Sequence, residues 1–128
     1  MVSQITKGIK ISVETTFREE FSSLKNSQFV FSYRISMENT SDYPVQLLRR
    51  HWFIFDSVGE YSEVEGEGVV GEKPELLPGD VYEYESSCSL LSEMGTMYGT
   101  YLFERKVDGA QFKVDIPEFE LVAPYRLN

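Results

Sequence analysis

Gly66-Glu67-Gly68-Val69-Val70-Gly71-Glu72-Lys73-Pro74-Glu75-Leu76-Leu77-Pro78-Gly79 can be read in two ways. Its first six residues match G-x-G-x-x-G, the pattern that joins a strand to a helix in dinucleotide-binding domains and seats pyrophosphate on the helix amides. That reading needs a helix directly after the motif. Pro74 and Pro78, the latter in a Pro-Gly turn pair, leave no room for one, because an interior proline costs a helix about 3 kcal/mol. Charge argues the same way. Glu63, Glu65, Glu67 and Glu72 crowd the motif, with Lys73 the nearest base. A carboxylate about 4 Å from a phosphate costs on the order of 4 kcal/mol at an effective dielectric of 20. The stretch therefore reads as a loop between strands, where glycine permits positive φ or close backbone approach.

Outward from this loop the chain alternates with period 2. Ile9, Ile11, Val13, Thr15 and Phe17 oppose Lys10, Ser12, Glu14 and Thr16. Phe29, Phe31, Tyr33, Ile35 and Met37 likewise oppose Ser32, Arg34, Ser36 and Glu38. Each run predicts a half-buried strand. Polar Arg18 to Ser27 between them predicts a turn or one short helical turn. Val45 to Asp56 differs, with Trp52 and Ile54 on one face and Phe53 and Phe55 on the other. Apolar residues on both sides predict a strand covered twice, by the core and by a chain terminus or a second subunit. Further strands are expected at Val81 to Ser87, Met97 to Val107, and Phe112 to Ile116, with a short one at Phe119 to Val122 after Pro117. Turn chemistry falls between them: Leu77-Pro78-Gly79-Asp80 suits type II, and Asp108-Gly109 marks a hairpin. Asp56-Ser57-Val58-Gly59 reads as a longer hairpin loop. About seven short strands and no amphipathic helix predict an all-β sandwich of antiparallel strands, with a barrel as the alternative. No linker divides residues 1–128, so one domain is expected.

Composition bounds the function. The net charge of −9, from 21 acidic and 12 basic residues, repels phosphate backbones and anionic membrane surfaces. Neither nucleic acid nor membrane is an expected partner. A protein with a basic patch, or a metal cation, is compatible. The N-terminus lacks the apolar run of a signal peptide, no segment is long enough for a membrane helix, and the expected location is the cytoplasm. The single cysteine, Cys88, admits no internal disulfide.

Candidate sites are few. His51 is the only histidine, so it is the only imidazole base available to a Ser-His-Asp or Cys-His arrangement. Ser86, Ser87, Cys88 and Ser89 show no nucleophile signature. No catalytic residue and no cofactor is expected. Arg49, Arg50, His51 and Trp52 form a cationic and aromatic run suited to a protein partner. Glu63, Glu65 and Glu67 share one strand face and offer oxygen ligands for Mg²⁺ or Ca²⁺, although a charged edge strand also discourages aggregation. Gly66, Gly68 and Gly71 remain candidates for pyrophosphate, with a divalent cation bridging the anions.

A longer series of motifs is more specific than the glycines. Arg50-His51-Trp52, Asp56, Gly59, Glu63 to Gly71, Pro74, Leu76 and Pro78-Gly79 resemble the ApaG family. So do Tyr84, Ser86, Gly95-Thr96-Met97-Tyr98-Gly99-Thr100-Tyr101 and Ile116-Pro117-Glu118-Phe119-Glu120-Leu121, extending the likeness from about Lys7 to Pro124. The resemblance implies an immunoglobulin or fibronectin type III-like sandwich without an established reaction. It implies a genetic link to cobalt resistance and magnesium handling. Related eukaryotic domains, in an F-box adaptor and a polymerase-interacting protein, point to protein–protein recognition. The family's glycine motif is itself a proposed pyrophosphate site. A non-enzymatic binding domain is therefore expected, with cation or pyrophosphate binding at Gly66–Gly71 as the alternative. A homodimer through a doubly covered strand or free sheet edge is compatible.

Overall fold

A computed structural model describes residues 1–124. The strands are β1 (Val2–Thr6), β2 (Ile9–Phe17), β3 (Phe29–Asn39), β4 (Val45–Asp56), β5 (Glu60–Glu67), β6 (Glu75–Leu76), β7 (Val81–Leu90), β8 (Met94–Arg105) and β9 (Gln111–Val122). One 3₁₀ turn, Glu19–Phe21, lies within the polar segment between β2 and β3. The first sheet has the order β1-β2-β3-β7 and the second β5-β4-β8-β9, with β6 also pairing with β4. All of these pairs are antiparallel. The two sheets share one hydrophobic core, making an immunoglobulin/fibronectin type III-like sandwich.

The predicted inward faces of β2 and β3 are the ones buried. Ile9, Ile11, Val13, Phe31, Ile35 and Met37 all have 2% or less of their surface exposed. From the other sheet, Trp52 lies 5.4 Å from the ring of Tyr33, 5.8 Å from Phe119 and 6.2 Å from Tyr101. The type II turn forms as expected, with the Asp80 N–H donating to the Leu77 carbonyl at 2.9 Å. The Asp108-Gly109 hairpin is longer than a two-residue turn. Arg105 N–H reaches the Ala110 carbonyl at 2.8 Å, and the Arg105 guanidinium holds Asp108 at 2.7 Å.

Two bulges break the alternation and change which side chains meet. On β4 the register shifts between Leu47 and Arg49. Val45 and Leu47 point inward before the shift, and Trp52 after it. The extra residue reverses parity, so Arg50 faces the space between the sheets. The second shift lies between Met97 and Gly99, opposite Pro117 and Glu118. Proline has no N–H to give to the ladder and fits at a bulge. Phe112 to Ile116 and Phe119 to Val122, predicted as two strands, are consequently one strand, β9.

The second cover expected for β4, a chain terminus or a second subunit, concerns its outer face. Phe53 and Phe55 are half-buried without any described strand packed over them. Neighbouring rings on the same sheet face shield them in part. The expectation of a C-terminal cover falls on residues 125–128, outside the described residues.

A polar pair crosses the core. The Tyr84 and Tyr101 hydroxyls are 2.5 Å apart, and burial pushes both phenols well above their ordinary ionisation range. Raised folded-state values keep the protons on in the native protein. The unfolded chain releases its own near pH 10, so stability is full below that pH and falls as pH rises through and above it. The expected slope is about 1.4 kcal/mol per pH unit for each such phenol. Urea midpoints at pH 8, 10 and 11 test this, and a Tyr84→Phe, Tyr101→Phe double variant should flatten the decline. An equally steep decline in that variant would assign it elsewhere.

Candidate functional site

The glycine loop is built on the edge of β4. β5 and β6 both lie along that edge, pairing with residues 49–56 and 45–46 of β4. Residues 68–74 are thus an excursion from one interrupted edge strand. It leaves opposite the β4 bulge, where Gly68 N–H donates to the Leu48 carbonyl (2.9 Å) and Leu47 N–H to the Pro74 carbonyl (3.0 Å). The excursion closes on itself through Val69 and Glu72, which exchange N–H···O bonds of 2.8 Å in both directions. Val70 and Gly71 form the tip with φ of +47° and +79°, the two left-handed residues of a type I′ turn.

Much of the loop's backbone is already paired. The amides of Gly68, Val69 and Glu72 already donate to backbone carbonyls. The carbonyls of Glu67 and Gly68 instead turn towards Arg50, whose Nη1 donates to them at 3.0 and 3.1 Å. Gly66 pairs with Arg50, and a Cβ there would lie 3.0 Å from the guanidinium. The motif's first glycine gives the arginine room.

The run from Arg49 to Trp52 is split between two environments. Trp52 has 3% of its surface exposed and belongs to the core, which corrects its expected place on a binding surface. Arg50 enters a cleft with Tyr33, Trp52, Tyr84 and Ser86. Arg49 and His51 emerge on the opposite, outer face of the sheet. Arg49 lies 3.9 Å from Glu67, to which Lys73 also comes within 3.5 Å.

On the outer face, strand pairing sets residues in rows. Tyr61, Phe55, Thr96 and Glu120 form one row. Glu63, Phe53 and Tyr98 form the next, and Glu65, His51, Thr100 and Asp115 a third. Phe53 stacks on Tyr98 at 5.2 Å and meets His51 at 4.5 Å, while Phe55 meets Tyr61 at 4.7 Å. Tyr61 is 76% exposed and Tyr98 40%. The result is an aromatic strip with carboxylates along both edges. Tyr61 and Tyr98 were not singled out from sequence; their signal was alternation with Phe53 and Phe55 across paired strands.

One group of three is brought within ligand distance. His51, Glu63 and Glu65 each place a donor atom within 4.8 Å of the others. His51 Nε2 and Glu63 Oε2 are 2.7 Å apart. Of the three predicted carboxylates, Glu67 stands apart with its basic neighbours. Cys88 is half-buried on β7, and burial, with Asp56 nearby, raises its thiol to about 11, far from the range of an activated nucleophile. Asp56 is buried and accepts the Leu91 N–H (2.6 Å) and Ser92 hydroxyl (2.5 Å), tying the end of β4 to the β7–β8 turn.

Comparison with known proteins agrees with this architecture. A family model described as the ApaG domain matches residues 19–105. Protein ApaG of Paramagnetospirillum magneticum is 45% identical over the full length of both chains. Protein ApaG of Brucella canis is 44% identical, over 97% of this chain and 95% of its own. A crystal structure described as the putative ApaA protein from Bordetella pertussis superposes with a TM-score of 0.88 at 40% identity, covering 91% of this chain and 94% of that one.

Proposed function

The chain belongs to the ApaG family, and from that premise we propose that it is a single-domain, non-enzymatic recognition module of the bacterial cytoplasm. Its partner is another protein, which docks on the outer face of the β5-β4-β8-β9 sheet. The observation that carries this reading is the strip of Phe53, Tyr98, Phe55 and Tyr61. Interfaces concentrate binding energy in aromatic anchors inside a polar rim. Here the rim is acidic on both sides, from Glu63 and Glu65 on β5 to Asp115 and Glu120 on β9. The complementary partner presents an apolar ridge flanked by Lys or Arg.

A Tyr61→Ala, Tyr98→Ala double variant tests this, because both rings are exposed and their loss leaves the core intact. Captured partners should be lost while the thermal transition stays near that of the parent chain. Retention of every partner by a folded double variant would remove the face from consideration.

The His51, Glu63, Glu65 group supports a second reading, a divalent-cation site. An imidazole with two carboxylates suits borderline transition metals better than Mg²⁺. Calorimetric titration with Co²⁺ and Mg²⁺ separates them: heat with Co²⁺ that vanishes in His51→Ala would sustain the site. No heat with either metal would end it.

A further inference from the structure

The two sheets close against each other where β9 approaches β1 and β2. At the opposite side the free edges are β5 and β7, and between them lies a cleft of about 330 Å³. Its floor is Trp52, Ile54 and Met97, and Val64, Ser86 and Arg50 contribute to its walls. A second hollow of about 160 Å³ adjoins it on the far side of Arg50, reaching Val69 and Val70 of the glycine loop. Ser87, Cys88 and Ser89 also line the larger hollow, so its walls are of mixed polarity. A concave space of this size with a few convergent polar groups is a usual form of a small-molecule site.

Charge defines the ligand. No Asp or Glu lines either hollow, although the chain carries 21 acidic residues. Arg18, Arg49 and Arg105 each have a carboxylate within 4.0 Å. Arg50 has none among the described residues. Its Nη1 is held by the Glu67 and Gly68 carbonyls, which fixes the guanidinium plane. No hydrogen bond among the described residues uses its Nε or Nη2. A positioned guanidinium with one edge unused matches a carboxylate bidentately.

The loop supplies a second, independent observation. Val70 sits at φ +47° with 61% of its surface exposed. A β-branched residue in the left-handed region costs about 1–2 kcal/mol, and such strain clusters at binding sites. It places an apolar side chain beside the inner hollow, where an asparagine or glycine would have suited the turn better.

We infer that the β5–β7 cleft binds a small organic carboxylate, its anionic end on the free edge of Arg50 and its apolar body over Trp52, Ile54 and Met97. The site lies between the sheets, separate from the outer face assigned to a protein partner. It uses the glycine loop as a brace for Arg50 rather than as a phosphate cradle.

Trp52 is the only tryptophan, so its fluorescence reads the cleft directly. The full chain is titrated with phenylacetate and, in parallel, with the neutral phenylacetamide. The expected result is a saturable change with phenylacetate at millimolar concentration or below, binding about tenfold or more tighter than the amide. Arg50→Gln should abolish that preference. Because Arg50 also braces the loop, Val64→Glu is the second variant. It removes neither carbonyl of the Arg50 tether and sets a competing carboxylate on the wall of the same cleft, so phenylacetate affinity should fall by a similar factor. No saturable response in the parent chain, equal binding of acid and amide, or undiminished binding in folded Val64→Glu would each overturn the inference.

Discussion

Gly68→Ala is expected to lower the unfolding free energy by about 3 kcal/mol or more, from the combined cost of a left-handed residue and a partly exposed Val69. The backbone at Gly68 has φ +62°, and a Cβ would lie 2.3 Å from the Glu72 carbonyl oxygen. That oxygen accepts the Val69 N–H in the two-way bridge that closes the excursion. Relief requires the bridge to open, and Val69, with no exposed surface, then loses part of its burial. Gly71→Ala makes the control. It has φ +79° with nothing within 4 Å of the added carbon, so only the left-handed cost of about 1–2 kcal/mol applies. Gly66→Ala presses on the Arg50 guanidinium instead, a flexible side chain that can move. Urea midpoints of the three variants should therefore rank Gly68 clearly worst. Equal losses at Gly68 and Gly71 would show that steric closure of the loop is not what the motif provides.

Trp52→Ala is expected to cost about 3–5 kcal/mol, a large share of the roughly 5–15 kcal/mol that holds a domain of this size together. The indole touches three rings from both sheets and has 3% of its surface exposed. Arg49→Ala two strand positions before the parity-matched outer residue His51 removes only an exposed pair at 3.9 Å and should change stability by about 0.5 kcal/mol or less. Chemical unfolding followed by near-ultraviolet circular dichroism distinguishes them. A Trp52→Ala variant as stable as Arg49→Ala would contradict the packing described above. The same contrast governs binding experiments: loss of a partner in Trp52→Ala reports unfolding, while loss in Tyr61→Ala, Tyr98→Ala reports the outer face.

Much of the architecture follows from local chemistry alone. Alternation at Ile9 to Val13 and Phe29 to Met37, with the Pro-Gly turn at residues 78 and 79, is written in side-chain type and spacing. So is the exclusion of a nucleotide helix, because Pro74 and Pro78 act on their own stretch of backbone. An antiparallel sandwich was legible for that reason, while its immunoglobulin-like character was implied only by the family resemblance. What tertiary structure decided was facing. Leu47 and Trp52 are both buried yet stand five residues apart, an odd spacing that a regular strand cannot accommodate. The bulge between them turns Arg50 inward, onto the Glu67 and Gly68 carbonyls and against a tyrosine cluster contributed by β3, β7 and β8. Period-2 reasoning treats each strand as unbroken and cannot know which distant strand lies across from it. A single inserted residue inverts every side chain beyond it, so the chain's composition named the arginine, and only the paired sheets showed that it faces the cleft.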